Sequence, residues 1–200
     1  MGALAPRGSR VAAAGLSLAL LASAAAGCST KSKGSAAPTT SSTPPSGGAT
    51  TAAGSAAQLL DAGLKAHAQG NLTLARKDYL AVLAKDPKNK FALYNLGAIA
   101  QAQRKPAEAK AKYQQVLTID PKYNPALFNL AILTDAGGDP TGAADLYRRA
   151  TAANPSDASS HFNLGLLLLR LGKTAQGNAE IAKAIKLNPA LKKPAPATTK

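Results

Sequence analysis

Apolar residues recur along this chain at helical spacing, in stripes that repeat. Leu93, Leu96, Gly97 and Ala100 fall at i, i+3, i+4 and i+7, one face of a helix. The same set reappears as Leu59, Ala62, Gly63 and Ala66, as Leu127, Leu130, Ala131 and Thr134, and as His161, Leu164, Gly165 and Leu168. A second stripe follows each one: Ala75, Tyr79, Val82; Ala109, Tyr113, Val116; Ala143, Tyr147, Ala150; and Gly177, Ile181, Ala184. Each pair of stripes predicts two helices joined by a turn.

The punctuation has the same period. Pro87, Pro121, Pro155 and Pro189 stand 34 residues apart, each after Asp or Asn. A proline disfavours helical backbone in the residue before it, so each one ends a second helix. Gly70, Gly138 and Gly172 occupy the position where a first helix must end and a positive φ is useful. Asp139-Pro140 suits an N-cap followed by proline in the first turn, Pro106 sits at the same place, and Asn124-Pro125 is expected to start the next helix likewise. A fixed period of this length means one supersecondary unit repeated over 56–89, 90–123, 124–157 and 158–191.

The order Leu-x-x-Leu/Ala-Gly/Ala, then Ala, Tyr/Ile, a small residue and Pro, on that period, resembles the tetratricopeptide repeat. The resemblance covers 56–191. It implies an all-α fold, a right-handed superhelical solenoid of four helix-turn-helix hairpins. Two positions depart from the pattern. The first stripe position holds Leu or His161 where the family has Trp, so a packing role is expected for His161. Gly177 stands for the usual Ala, a loss of up to about 1 kcal/mol of helix propensity that puts the fourth repeat's stability in question.

In the family the first helix of each hairpin lines a concave face. If the stripe residues face inward, then Tyr94, Asn95, Ala98 and Gln101 face away from them. Their counterparts are Phe128, Asn129, Ile132 and Asp135; Phe162, Asn163, Leu166 and Leu169; and Leu60, Asp61, Leu64 and His67. Asn95, Asn129 and Asn163 form a row that Asp61 breaks. An asparagine side chain donates and accepts, so it can pair with an extended peptide backbone. The resemblance implies such a peptide-binding groove, with Tyr94, Phe128, Phe162 and Gln101 beside the row. The alternative is structural: Asn satisfying backbone groups between helices, and aromatics packed rather than offered. Leu166 to Leu169 should divide, two packed and two toward the groove. With Leu166 and Leu169 exposed near an uncapped end, self-association as a homodimer or a partner patch is expected there.

The chain has 200 residues and a formal charge of +14. Seven of its basic residues lie outside the repeats, and across the four repeats the balance is +2, +4, −2 and +3. A charge that alternates in sign argues against a nucleic-acid partner. Residues 1–27 combine Arg7, Arg10, an uncharged run from Val11 to Ala26 and small residues, the pattern of a signal peptide. Ala24-Ala25-Ala26-Gly27-Cys28 resembles the bacterial lipobox, with Ala25 where Leu is usual, which implies lipidation of Cys28 and a membrane anchor. The other reading is an ordinary signal peptide beside a spare cysteine. Residues 28–55, rich in Ser, Thr, Pro and Gly, read as a flexible tether, and 192–200 as a disordered basic tail.

No Ser/His/Asp or Cys/His set, phosphate loop or metal-spaced cluster is present, so neither an enzyme nor a cofactor is expected. The leading expectation is a bacterial adaptor, exported to the envelope, that binds an extended peptide or protein. The second is a structural envelope protein held to anionic surfaces by its basic excess.

Overall fold

The computed structural model describes residues 54–192. The expected signal peptide, Cys28, the tether up to residue 53 and the tail from residue 193 lie outside the described residues. Eight helices and no strands occupy the rest: α1 (Ala56–Ala68), α2 (Leu72–Lys85), α3 (Lys90–Ala102), α4 (Pro106–Ile119), α5 (Asn124–Ala136), α6 (Pro140–Ala153), α7 (Ala158–Arg170) and α8 (Thr174–Leu187). Each 34-residue window holds one hairpin, and successive hairpins stack into a helical solenoid.

Both stripes of each hairpin point into the stack. Tyr79, Tyr113, Leu96, Ile99, Leu127 and Ile181 are fully buried. The apolar clusters straddle the junctions: α1 and α2 share theirs with α3, α3 and α4 with α5, and α5 and α6 with α7. No hairpin could bury its apolar face alone, which is why the repeats fold as a stack. Small residues set the distance between the two helices of a hairpin. A Cβ on Gly63 or Gly97 would lie 2.7 Å from the ring of Tyr79 or Tyr113, inside van der Waals contact.

The turns follow the sequence with two differences. Gly70, Gly138 and Gly172 adopt φ of 75°, 88° and 74°. The second repeat places Arg104 there, at φ 57°, where a side chain crowds its own backbone. Arg104→Gly is therefore expected to stabilise the chain by about 0.5–1 kcal/mol, less than the strain relieved because Gly also gains freedom in the unfolded state. Thermal unfolding followed by circular dichroism checks it, and an unchanged or lower Tm counts against the strain.

The second difference concerns Asn124. Asp139 caps α6 as expected, its Oδ1 accepting from Gly142 N at 2.8 Å. Asn124 does not cap α5: the cap position is Tyr123 and carries no side-chain bond. Pro125 fixes the first turn of α5 without a cap. The Asn124 side chain is instead used in its own repeat, donating to Ala150 O at 3.0 Å at the end of α6.

Candidate functional site

The first helices, α1, α3, α5 and α7, carry the candidate groove. Its residues are those left over when the stripes pack, so burial falls in the expected rhythm. Leu93, Leu96 and Ala100 are buried, while Tyr94, Asn95, Ala98 and Gln101 are half-buried. Phe128, Asn129, Ile132 and Asp135 repeat this on α5, and Phe162, Asn163 and Leu169 on α7.

The three asparagines share a row but not a set of bonds. Asn95 Nδ2 donates to Phe91 O at 2.8 Å, and Asn163 Nδ2 to Ser159 O at 2.9 Å, each one turn back on its own helix. Asn129 reaches across the junction: its Nδ2 donates to Tyr94 Oη at 3.1 Å and to Tyr113 Oη at 3.4 Å. Tyr113 Oη in turn donates to Gln101 Oε1 at 3.0 Å. Each amide nitrogen is thus engaged, and among the described residues no donor reaches Oδ1 of the three. The row offers acceptors, and Asn129 has spent both of its donors. Asp61 pairs with Lys65 at 2.7 Å on the exposed face of α1.

Aromatic rings extend the network. Tyr94 lies 5.7 Å from Tyr113 and 5.5 Å from Tyr123, and Phe91 6.2 Å from Tyr123. Phe128 packs edge-on to Tyr147 at 5.7 Å. Lys90 Nζ sits 5.4 Å and 5.2 Å from the ring centres of Phe91 and Tyr123 while pairing with Asp120 at 2.6 Å. Burial raises the hydroxyl of Tyr94, countered by its bond from Asn129. Burial, then the neighbouring Asp78 carboxylate, pushes the Tyr79 hydroxyl to about 12. The tyrosines therefore stay neutral donors and acceptors at ordinary pH.

Beside the asparagines runs an apolar row, Leu64, Ala98, Ile132 and Leu166, in which Leu64 is 46% exposed and Leu166 36%. The leucine run divides: Leu167 and Leu168 are buried, and Leu166 is open. Leu169 is half-buried, and a Cβ on Gly177 would come within 2.9 Å of it, so it lies over the start of α8 in its own hairpin. His67 lies half-buried with Nδ1 3.5 Å from Tyr79 Oη. Phe91, which is 47% exposed, and Tyr123 belong to the groove but were not singled out from sequence. Helical spacing, with Phe91 a turn before Tyr94, could have found the first, whereas no periodic signal marks Tyr123, whose counterparts are Asn89 and Asp157.

Among the described residues no group of three or more His, Cys, Asp or Glu could hold a metal ion. No described helix is long and apolar enough to cross a membrane.

A stack of helical hairpins with an open row of amides and aromatics is the architecture of a protein-interaction scaffold. The sequence profile described as "Tetratricopeptide repeat" matches residues 60–124 and 128–191, and the chain belongs to that family. No curated protein matches it. Among solved structures it is similar to a tetratricopeptide repeat protein of Parabacteroides merdae ATCC 43184, with 25% identity, 68% of this chain and 54% of that one covered, and a TM-score of 0.60. A MamA protein aligns at 24% identity over 68% and 74% of the two chains, TM-score 0.61. The pilF protein of Pseudomonas aeruginosa aligns at 23% identity over 68% and 62%, TM-score 0.61. Tetratricopeptide domains generally bind protein partners, and the coarse role of this chain is the same.

Proposed function

We propose that this chain is an exported, lipid-anchored adaptor, with no catalytic role, that holds an extended peptide segment of a partner protein along α1, α3, α5 and α7. The observation that carries the reading is the row of open Oδ1 acceptors on Asn95, Asn129 and Asn163 beside the apolar row. Backbone N–H groups of an extended chain donate to such acceptors, and apolar side chains of the ligand cover Ala98 and Ile132. The groove's charges offer little grip, because Asp61 is paired with Lys65 and Asp135 with Arg170. The basic, apolar and small-residue pattern of residues 1–28 supports export, with Cys28 as the acylated residue.

The test compares capture from the native envelope by wild type and by an Asn95→Ala/Asn163→Ala double variant. Asn129 is kept because it also holds two tyrosines. Loss of a partner on the double variant, with helical circular dichroism intact, is the expected result. Equal capture that collapses with added salt would replace the groove by an anionic-surface interaction. In the same cells Cys28→Ser is expected to move the chain from the membrane to the soluble fraction, and an unchanged distribution would remove the lipid anchor.

A further inference from the structure

The hydrogen bonds that join α3, α4 and α5 run in one direction. Asn129 Nδ2 spends its two protons on Tyr94 Oη and Tyr113 Oη. Tyr113 has a single proton of its own, and it goes to Gln101 Oε1. The Gln101 amide is thereby fixed with its oxygen toward Tyr113 and its nitrogen turned away. Among the described residues no acceptor reaches Gln101 Nε2 or the Tyr94 hydroxyl proton, and no donor reaches Asn129 Oδ1. One network thus keeps two unspent donors and one unspent acceptor, all on half-buried side chains. Both donors are strengthened from behind, because a hydroxyl or amide that accepts a hydrogen bond donates a better one.

Packing does not need these polar atoms. The position of Tyr94 is filled by Leu60, Phe128 and Phe162 in the other repeats, and that of Gln101 by His67, Asp135 and Leu169. The other two asparagines of the row bond back to their own helices, Asn95 to Phe91 O and Asn163 to Ser159 O. Among the described residues, only the junction of α3 and α5 combines a tyrosine hydroxyl, a glutamine and an asparagine in this way. Its donors are neutral, and Lys90 on α3 and Arg170 on α7 are held by Asp120 and Asp135. A carboxylate there would meet Asn129 Oδ1 with no free cation to offset it, so the group that fits is an uncharged one with both an acceptor and a donor.

We infer that the junction of α3 and α5 is a subsite for the backbone of one extended residue of the ligand, whose C=O accepts from Tyr94 Oη and Gln101 Nε2 and whose N–H donates to Asn129 Oδ1. The subsite rests on the peptide-groove reading above and names what the centre of that groove grips. An extended chain presents the N–H and C=O of one residue side by side on the same edge, which is the pairing used between strands. The contact reads backbone and leaves side chains unread. It rejects proline at that residue, since proline has no N–H to donate.

Residues Gly47–Lys200 form one compact unit, which holds all three apolar clusters. The probe is N-acetyl-tetraalanine N-methylamide, an uncharged extended peptide, titrated to about 20 mM into the isotope-labelled unit because so small a contact binds in the millimolar range. The side-chain amide signals of Gln101 and Asn129 are expected to move. Tyr94→Phe and Gln101→Leu are each expected to weaken binding by about threefold to tenfold, the loss of one neutral hydrogen bond. Movement of Asn95 and Asn163 without Gln101 and Asn129, or equal binding by both variants, overturns the subsite and leaves the groove. No movement at any of the four amides overturns groove and subsite together. Sodium acetate moving Gln101 as strongly as the peptide does would make this an anion site and also overturns the proposal. Tyr94→Phe installs the ring already present at Phe128, so the test stands even where Gln101→Leu, which strands the Tyr113 proton, fails to fold.

Discussion

Gly177→Ala is expected to destabilise the fourth repeat by about 2 kcal/mol, although alanine is the better helix former. Helix propensity alone favours the substitution by about 1 kcal/mol. The contact between α7 and α8 opposes it. A Cβ on Gly177 would stand 2.8 Å from the carbonyl oxygen of Gly165 and 2.9 Å from Leu169. A Cβ on Gly165 would stand 2.6 Å from Ile181 and 2.9 Å from the carbonyl oxygen of Gly177. The two helices meet backbone to backbone, and backbone cannot turn aside as a side chain can. Overpacking of this kind costs about 1–3 kcal/mol and more where nothing yields. A fall in Tm of about 5–10 °C is the expected readout. A rise would mean that α7 and α8 can separate freely. The third repeat gives the control: it has Ala131 and Ala143 at these two positions, opposite Tyr147, with no glycine pair.

The second large effect lies in the same repeat. His161 is buried, with Nδ1 2.6 Å from Glu180 Oε2 and Nε2 3.1 Å from Pro155 O. A carboxylate and a backbone carbonyl thus face the two ring nitrogens. Burial acts to raise the Glu180 carboxyl, but hydrogen bonds from Lys183 and His161 outweigh it and hold the group below its ordinary 4.5. Glu180→Leu leaves the buried Nδ1 of His161 without its partner and is expected to cost about 2 kcal/mol. His161→Leu is milder, since Glu180 keeps Lys183 at 2.8 Å. The double variant reproduces Leu127 and Leu146 of the third repeat and is expected to match wild type or exceed it. Urea titrations of the four proteins close the cycle, and additive single effects would show that the pair is not coupled.

The pH dependence follows from the same group. A carboxyl lowered by folding stabilises the native state above its unfolded value, and that contribution is lost as pH falls through the folded value. The Glu180 contribution is therefore complete above about pH 4.5 and lost below it, and the double leucine variant is expected to resist acid better. Glu108, held down chiefly by its bond from Arg76, and Asp120, by its bond from Lys90, act in the same direction. Both are only half-buried, in pairs open to solvent, and contribute less.

The repeat period made the architecture legible, because a proline or a glycine in a fixed place needs no tertiary context to be read. The face carrying Asn95, Asn129 and Asn163 was also legible, since the wheel that packs Leu93 and Leu96 must turn the asparagines away. Their bonding was not. Whether Asn129 offers a donor depends on Tyr94 and Tyr113, which lie 35 and 16 residues away. Gly177 misled for the same reason: propensity is a property of one helix, and its sign here is set by Gly165 on the neighbouring one.

The junctions of the stack are held by different chemistry. Arg76 on α2 pairs with Glu108 on α4 at 2.7 Å, and Asp135 on α5 with Arg170 on α7. Between them α3 and α5 are linked by the neutral bond from Asn129 to Tyr94. At about 1 M salt the Debye length shrinks to about 3 Å, and exposed ion pairs weaken while neutral ones do not. High salt is therefore expected to loosen the outer joints more than the central one, within the limit set by the apolar cluster that each junction shares.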